Sequence, residues 1–204
     1  MACVILIYIL AMLTITMGAD HHLLTDVCKD SNYCQKCTYT DIICEGKDDN
    51  DHGLLTNIPI NDLSPNISRL DLGFNLLEHT MVGPSNETLF MHYPNLKCLS
   101  LVGNFTRRIE YSFIGLVKLQ EINLSINPIK IDVPKTGTID IFKDFTELRH
   151  LNVSRLRFPT LRGTKTIKPL ILALNSLQSS KVEVLDFSET QRGPGSPCYT
   201  LNIS

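Results

Sequence analysis

Residues 67–75 read ISRLDLGFN, and the same phrase returns as LKCLSLVGN at 96–104 and LQEINLSIN at 119–127. Two looser copies follow, LRHLNVSRL at 148–156 and VEVLDFSET at 182–190. Each is an apolar residue, two variable ones, apolar-x-apolar, and two more variable residues before a ninth place that is Asn in the first three copies. The copies start at 67, 96, 119, 148 and 182, at intervals of 29, 23, 29 and 34 residues. Within Leu70-Asp71-Leu72 the side chains alternate, so a short strand turns both leucines inward and Asp71 outward. Leu99/Leu101, Ile122/Leu124, Leu151/Val153 and Leu185/Phe187 repeat this. A strand this short cannot bury an apolar face alone, but one strand from each copy, stacked side by side, builds a parallel sheet over a continuous core.

The chain must return between strands on the opposite side. Ile109, Phe113, Leu116 and Leu119 are spaced as in a short helical turn packing inward, Phe142, Phe145 and Leu148 echo them, and Leu170 to Leu177 is the best helix candidate. Pro and Gly mark loops at Pro128, Pro134 to Gly137, Pro159, Gly163 and Gly193 to Pro197. The ninth-position Asn75, Asn104 and Asn127 can satisfy backbone groups where the chain leaves the strand; Leu156 and Thr190 break that series. The expected fold is an α/β leucine-rich-repeat solenoid, with a curved parallel sheet on the concave side, short helices and loops on the convex side, and a disulfide-bonded amino-terminal cap.

The chain has 204 residues, 43% apolar and 20% charged, with a formal net charge of -2. It carries no Lys/Arg run, so charge-driven nucleic-acid binding is not expected. Residues 1–17 are uncharged and mostly apolar, and end at Gly18-Ala19 before Asp20, as in a secretory leader over 1–19 cleaved after Gly18 or Ala19. The run is shorter than the about 20 residues that span a bilayer, and no second long apolar run follows. Beyond the leader, Cys28, Cys34, Cys37 and Cys44 fall within seventeen residues. In an oxidising compartment such a cluster closes a small cap with two disulfides. Zinc is the competing use of Cys34-x-x-Cys37, although a zinc ribbon needs a second such knuckle. Asn66, Asn86, Asn104, Asn123, Asn152 and Asn202 head Asn-x-Ser/Thr triplets. With a leader and clustered cysteines, these point to an extracellular glycoprotein. Asn104, at a ninth position, should turn inward and stay unglycosylated, leaving Asn66, Asn86, Asn123, Asn152 and Asn202 as expected sites.

The cysteine cluster, Gly53-Leu54, Ile58-Pro59, Leu63-Ser-Pro65 and then Leu70 to Asn75 resemble the cap and first repeat of extracellular leucine-rich-repeat receptors. Irregular repeat lengths, the stretch from Asn104 through Phe113 to Asn127 and the density of triplets most resemble the amino-terminal part of a Toll-like-receptor ectodomain. The resemblance implies bridges Cys28–Cys37 and Cys34–Cys44, although that family's middle pair is Cys-x-Cys and this chain has Cys34-Gln-Lys-Cys37. It implies a binding module, with 20–66 as cap, 67–190 as about five repeats and 191–204 as an incomplete or atypical end. The membrane span and cytoplasmic Toll/interleukin-1-receptor homology domain of such receptors do not occur within these residues. The reading is therefore of an ectodomain part or a soluble form, located extracellularly.

No Gly-x-Ser-x-Gly, His-Glu-x-x-His or phosphate-binding Gly-rich loop occurs, and the histidines lack metal-ligand spacing, so no enzyme, metal or cofactor is expected. Variable strand positions are the candidate binding surface: Arg69, Asp71, Lys97, Ser100, Glu121, Asn123, His150, Asn152, Val184 and Asp186. Expected partners are a microbial or endogenous ligand (protein, glycan or lipid) or a partner receptor. Glycans at Asn123 and Asn152 would cover the concave centre and leave binding to a lateral edge or the loops at 128–147 and 157–181. A secreted structural or adhesive repeat protein is the other function class. The last repeat, followed only by a short tail with Cys198, is expected to leave an apolar edge open to self-association.

Overall fold

The computed structural model describes residues 34–46, 64–77, 90–107, 109, 113–129, 131, 139–156, 168–188 and 200–202. Residues 1–19, where a leader is expected, Cys28, Asn86, Cys198 and the segments 157–167 and 191–199 lie outside them. Among the described residues, eight short strands form one sheet in chain order: β1 (Lys36–Cys37), β2 (Asp41–Ile43), β3 (Arg69–Asp71), β4 (Cys98–Ser100), β5 (Glu121–Asn123), β6 (His150–Asn152), β7 (Val184–Asp186) and β8 (Thr200–Asn202). From β2 to β7 every pairing is parallel and in one register, so Ile42, Leu70, Leu99, Ile122, Leu151 and Leu185 form a single row. All six are buried. The apolar residue two places further along, Leu72, Leu101, Leu124 or Val153, is buried beside it. This is a leucine-rich-repeat solenoid, with one strand per repeat and the core behind the sheet.

The backbone ladder continues past the strands. Leu72, Leu101, Leu124 and Val153 donate N–H to Ser100, Asn123, Asn152 and Asp186 in the next repeat at 2.7 to 2.9 Å. Two places on, the backbone swings out through the left-handed region at Phe74 (φ 49°), Gly103 (φ 63°), Ile126 (φ 58°) and Arg155 (φ 52°). Three of these four are not glycine, an arrangement that costs roughly 1–2 kcal/mol per residue. The inter-repeat bonds that hold them are Phe74 N–H to Val102 O, Gly103 N–H to Ser125 O, Ile126 N–H to Ser154 O and Arg155 N–H to Ser188 O.

The convex side is built mostly of turns. Tyr93 and Leu96 donate to Phe90 and Tyr93, and Leu116 and Leu119 to Phe113 and Leu116, each three residues back. Among the described residues, single turns of this kind stand at 113–119 and 142–145, where the apolar spacing predicts short helices. Phe90, Phe113 and Phe145 pack across successive repeats, the first pair stacked and the second tilted, with ring centroids 6.1 and 5.8 Å apart, and Phe142 lies 5.6 Å from Phe145. The longest interval carries the helix α1 (Lys168–Leu174), which buries Leu170 and Ala173 and passes into a 3-10 segment, Asn175–Ser179.

Both ends of the sheet are closed by an antiparallel strand. β1 pairs with β2, and the Cys34–Cys44 disulfide ties that hairpin together. Cys37 is also disulfide-bonded. With Cys34 and Cys37 in bridges, the Cys34-x-x-Cys37 spacing offers no thiolate pair for zinc. At the other end β8 pairs with β7, matching Val184 with Asn202 and Asp186 with Thr200. The expectation of an edge open to pairing is therefore corrected at the strand edge, where three tail residues occupy the β7 edge as an antiparallel neighbour can without a further repeat; Cys198 lies outside the described residues.

Candidate functional site

Because successive side chains in a strand point to opposite faces, the residues flanking each buried leucine face outward together. The register assembles two rows across the concave face. One runs Arg69, Cys98, Glu121, His150, Val184, and the other Asp71, Ser100, Asn123, Asn152, Asp186. Together they line an open groove of about 370 Å³. Nine of the ten sequence candidates lie on it. Lys97 does not: it stands one place before β4, in the position of Ser68, Gln120 and Arg149, and its neighbour Cys98 takes the groove position. The alternation around Leu99 already places residues 98 and 100 outward, so assigning Lys97 to the face is a one-residue slip toward the charged side chain.

Two polar contacts join these side chains. Arg69 pairs with Asp71 of the second row at 3.9 Å, and within the first row His150 Nδ1 lies 3.5 Å from Glu121 Oε1, an ion pair when the imidazole is protonated; all but Asp71 are about half exposed. Cys98 is half-buried and carries no disulfide. Burial pushes its thiol pKa up, and the neighbouring Glu121 adds to this against the opposing pull of Arg69. Cys98 is thus held as the neutral thiol, the poorly nucleophilic form. Among the described residues no three His, Cys, Asp or Glu side chains come together where a metal ion could sit.

The second row does a folding job with oxygen atoms. Asp71 Oδ1 accepts from Gly73 N–H at 3.2 Å and Asp186 Oδ1 from Ser188 N–H at 2.9 Å. Asn123 Oδ1 accepts from the Ser125 N–H and hydroxyl at 3.1 and 2.7 Å, and Asn152 Oδ1 from those of Ser154 at 3.0 and 2.7 Å. These side-chain turns start the departure from the strand.

Asn104 behaves differently. It is 3% exposed, and its Nδ2 donates to the carbonyls of Leu72, Leu101 and Val102 at 2.9, 3.1 and 3.3 Å. Its Oδ1 accepts from Leu77 N–H, and Thr106, the third residue of the same triplet, is buried against Leu77 O. Asn66 is exposed, with Nδ2 directed to the Tyr39 hydroxyl, and Asn202 lies on β8.

Leu76 and Phe105 each follow a ladder asparagine and are 37% and 40% exposed. Among the described residues no helix is long and apolar enough to cross a membrane.

No family model and no curated protein matches this chain. Among solved structures, it is similar to an internalin from Listeria monocytogenes at 16% identity and a TM-score of 0.40. That match covers 76% of this chain, which spans 46% of the internalin's length.

Proposed function

We propose that this chain is the recognition part of an extracellular receptor of Toll-like type, or a soluble form of one, and that it binds a microbial or endogenous ligand or a partner receptor. The observation that carries the reading is the double row on the concave face. Ten side chains stand on a rigid sheet at about 4.8 Å intervals between strands; the core takes none of them, and the one thiol among them is kept neutral. A broad open surface of this kind suits a large partner, since small substrates need enclosing pockets. Leu76 and Phe105 add exposed apolar area, where a few buried anchors would supply most of the binding energy.

The test uses the full chain secreted from cells, immobilised, and offered bacterial lipopolysaccharide, a bacterial lipopeptide, purified flagellar protein and, by cross-linking, the surface proteins of the expressing cell. The expected result is saturable binding of one of these, weakened at least tenfold by Arg69→Glu with Ser100→Arg or by Leu76→Asp with Phe105→Asp, in variants of unchanged melting temperature. Binding of none of them, or binding indifferent to both pairs, overturns the proposal.

A further inference from the structure

Asn123 and Asn152 share a position in the repeat with Asp71 and Asp186, and all four use one side-chain oxygen to accept the N–H two residues on. Aspartate does this work in the first and last copies, so the turn needs no amide nitrogen. Among the described residues the Nδ2 of Asn123 and of Asn152 makes no hydrogen bond, and both side chains line the open groove. In each of these repeats, and in neither aspartate repeat, the surplus nitrogen belongs to an Asn-x-Ser triplet: Asn123-Leu-Ser125 and Asn152-Val-Ser154. Asn104, in a triplet of the same kind, spends its Nδ2 on three carbonyls inside the solenoid.

From this division of labour we infer that Asn123 and Asn152 both carry N-linked glycans, side by side on the concave face, and that Asn104 carries none. The inference rests on the extracellular reading above, and it deepens it. In the transfer, Nδ2 attacks C1 of the first sugar of a lipid-diphosphate-linked oligosaccharide. The N–C1 bond forms, the C1–O bond to the diphosphate breaks with its electron pair leaving on the lipid diphosphate, and Nδ2 gives up one of its two protons. The product keeps Oδ1 and one N–H. At Asn123 and Asn152 it therefore keeps every bond the fold uses, and the sugar stands in the groove. At Asn104 a sugar would have to occupy buried space filled by Leu72, Leu101 and Val102.

Because β5 and β6 pair Asn123 with Asn152, the two stems rise from adjacent strands and cover the ground of Glu121 and His150. Protein contact on the concave face is then left to the β3 and β4 side, at Arg69, Asp71 and Ser100, and contact elsewhere to Leu76 and Phe105.

The experiment secretes the full chain from a glycosylating cell and treats it with peptide:N-glycosidase in heavy-oxygen water. Each glycosylated Asn becomes a labelled Asp, read by peptide mass spectrometry. Label is expected at Asn123 and Asn152, as at Asn66, with Asn104 unlabelled. The Asn123→Asp/Asn152→Asp double variant should lose two glycans' mass and keep its melting temperature, because the accepting oxygens remain. Label at Asn66 without Asn123 and Asn152, or label at Asn104 in folded protein, overturns the inference and leaves the extracellular reading standing. A large drop in melting temperature of the Asp variant, measured against wild type in which glycan addition was blocked during expression so that both asparagines remain, also overturns it, because Nδ2 would then belong to the fold. A chain without label at any site overturns both.

Discussion

The repeats from β3 to β5 and those from β6 onward share one strand register but are joined in different ways. In the first group Asn75, Asn104 and Asn127 act as staples. Each sends Nδ2 to a carbonyl of the preceding unit (Cys44, Leu72 and Leu101) as well as to two carbonyls of its own, and Asn104 and Asn127 each accept an N–H from the repeat before. In the second group Leu156 holds the staple position, buried to 3% exposure, and bulk replaces hydrogen bonding. The space between strands grows there to hold α1, whose 3-10 extension reaches back through Ser176 Oγ, which accepts the Phe142 N–H at 3.2 Å. A buried donor that satisfies several carbonyls demands a fixed repeat geometry; a buried leucine tolerates longer and more variable intervals. The spacing widens from 23 and 29 residues to 34 where the staple is absent.

Exchanging the two solutions breaks the comparison most strongly. Asn127→Leu leaves the Thr106 N–H and the Leu101, Leu124 and Ser125 carbonyls without this partner in a fully buried site, and should cost about 3 kcal/mol by denaturant unfolding. The reverse change, Leu156→Asn, gives up one buried leucine side chain but places an amide near the Val153 and Ser154 carbonyls, and should cost less, about 1–2 kcal/mol. Equal costs would mean that the two halves are joined alike.

How much was readable in advance follows the same division. The strands of the repeats and the buried role of Asn104 were legible because alternation and the ninth-position Asn are direct consequences of strand geometry and buried backbone. The strand β2 was not, since residues 41–44 read DIIC and put Cys44 where a repeat has leucine; a buried cysteine packs as a small apolar residue. The closing strand β8 carries no repeat phrase at all, because an antiparallel edge strand is specified by the strand it joins. The helix candidate at 170–177 is α-helical only to Leu174; beyond it the Ser176 and Ser180 hydroxyls donate to the Ala173 and Leu177 carbonyls at 2.6 Å, as short polar side chains do at helix ends.

Within the stapled half, the left-handed position offers a sharper test. Gly103 sits under the Phe74 ring, and an added Cβ would come within 2.3 Å of it. Gly103→Ala should therefore destabilise by about 2 kcal/mol, combining backbone strain with the clash. In a Phe74→Leu background the clash should go and only the backbone part, about 1 kcal/mol, remain. A double-mutant cycle measures the difference. Simple additivity would mean that the ring moves aside without cost, and that the tight stacking of repeats here is not a constraint.

The smallest effect concerns the amino-terminal end, where two carboxylates beside the hairpin respond to pH in opposite senses. Asp41 is held below the ordinary carboxylate range, first by the hydrogen bond from Lys36 Nζ at 2.8 Å. Its contribution is present above the unfolded value and lost as pH falls through the folded one. The pair is partly exposed, so the amount is a fraction of 1 kcal/mol. Glu45 is pushed up, first by burial and then by the nearby charge of Asp71. The folded state holds its proton more tightly than the unfolded chain does. Ionised Glu45 therefore costs stability that is intact at low pH and is lost as pH rises through the raised folded value. Glu45→Gln should raise the melting temperature slightly at pH 7 and leave it unchanged near pH 3, where wild type is protonated in both states. Asp41→Asn should lower it at pH 7, with the gap narrowing as pH falls toward the lowered folded value of Asp41. Melting curves of both variants from pH 3 to pH 7 check the pair. A Glu45→Gln variant less stable than wild type at pH 7 would mean that the carboxylate is a working partner in the cap, with its charge favourable there and not merely tolerated.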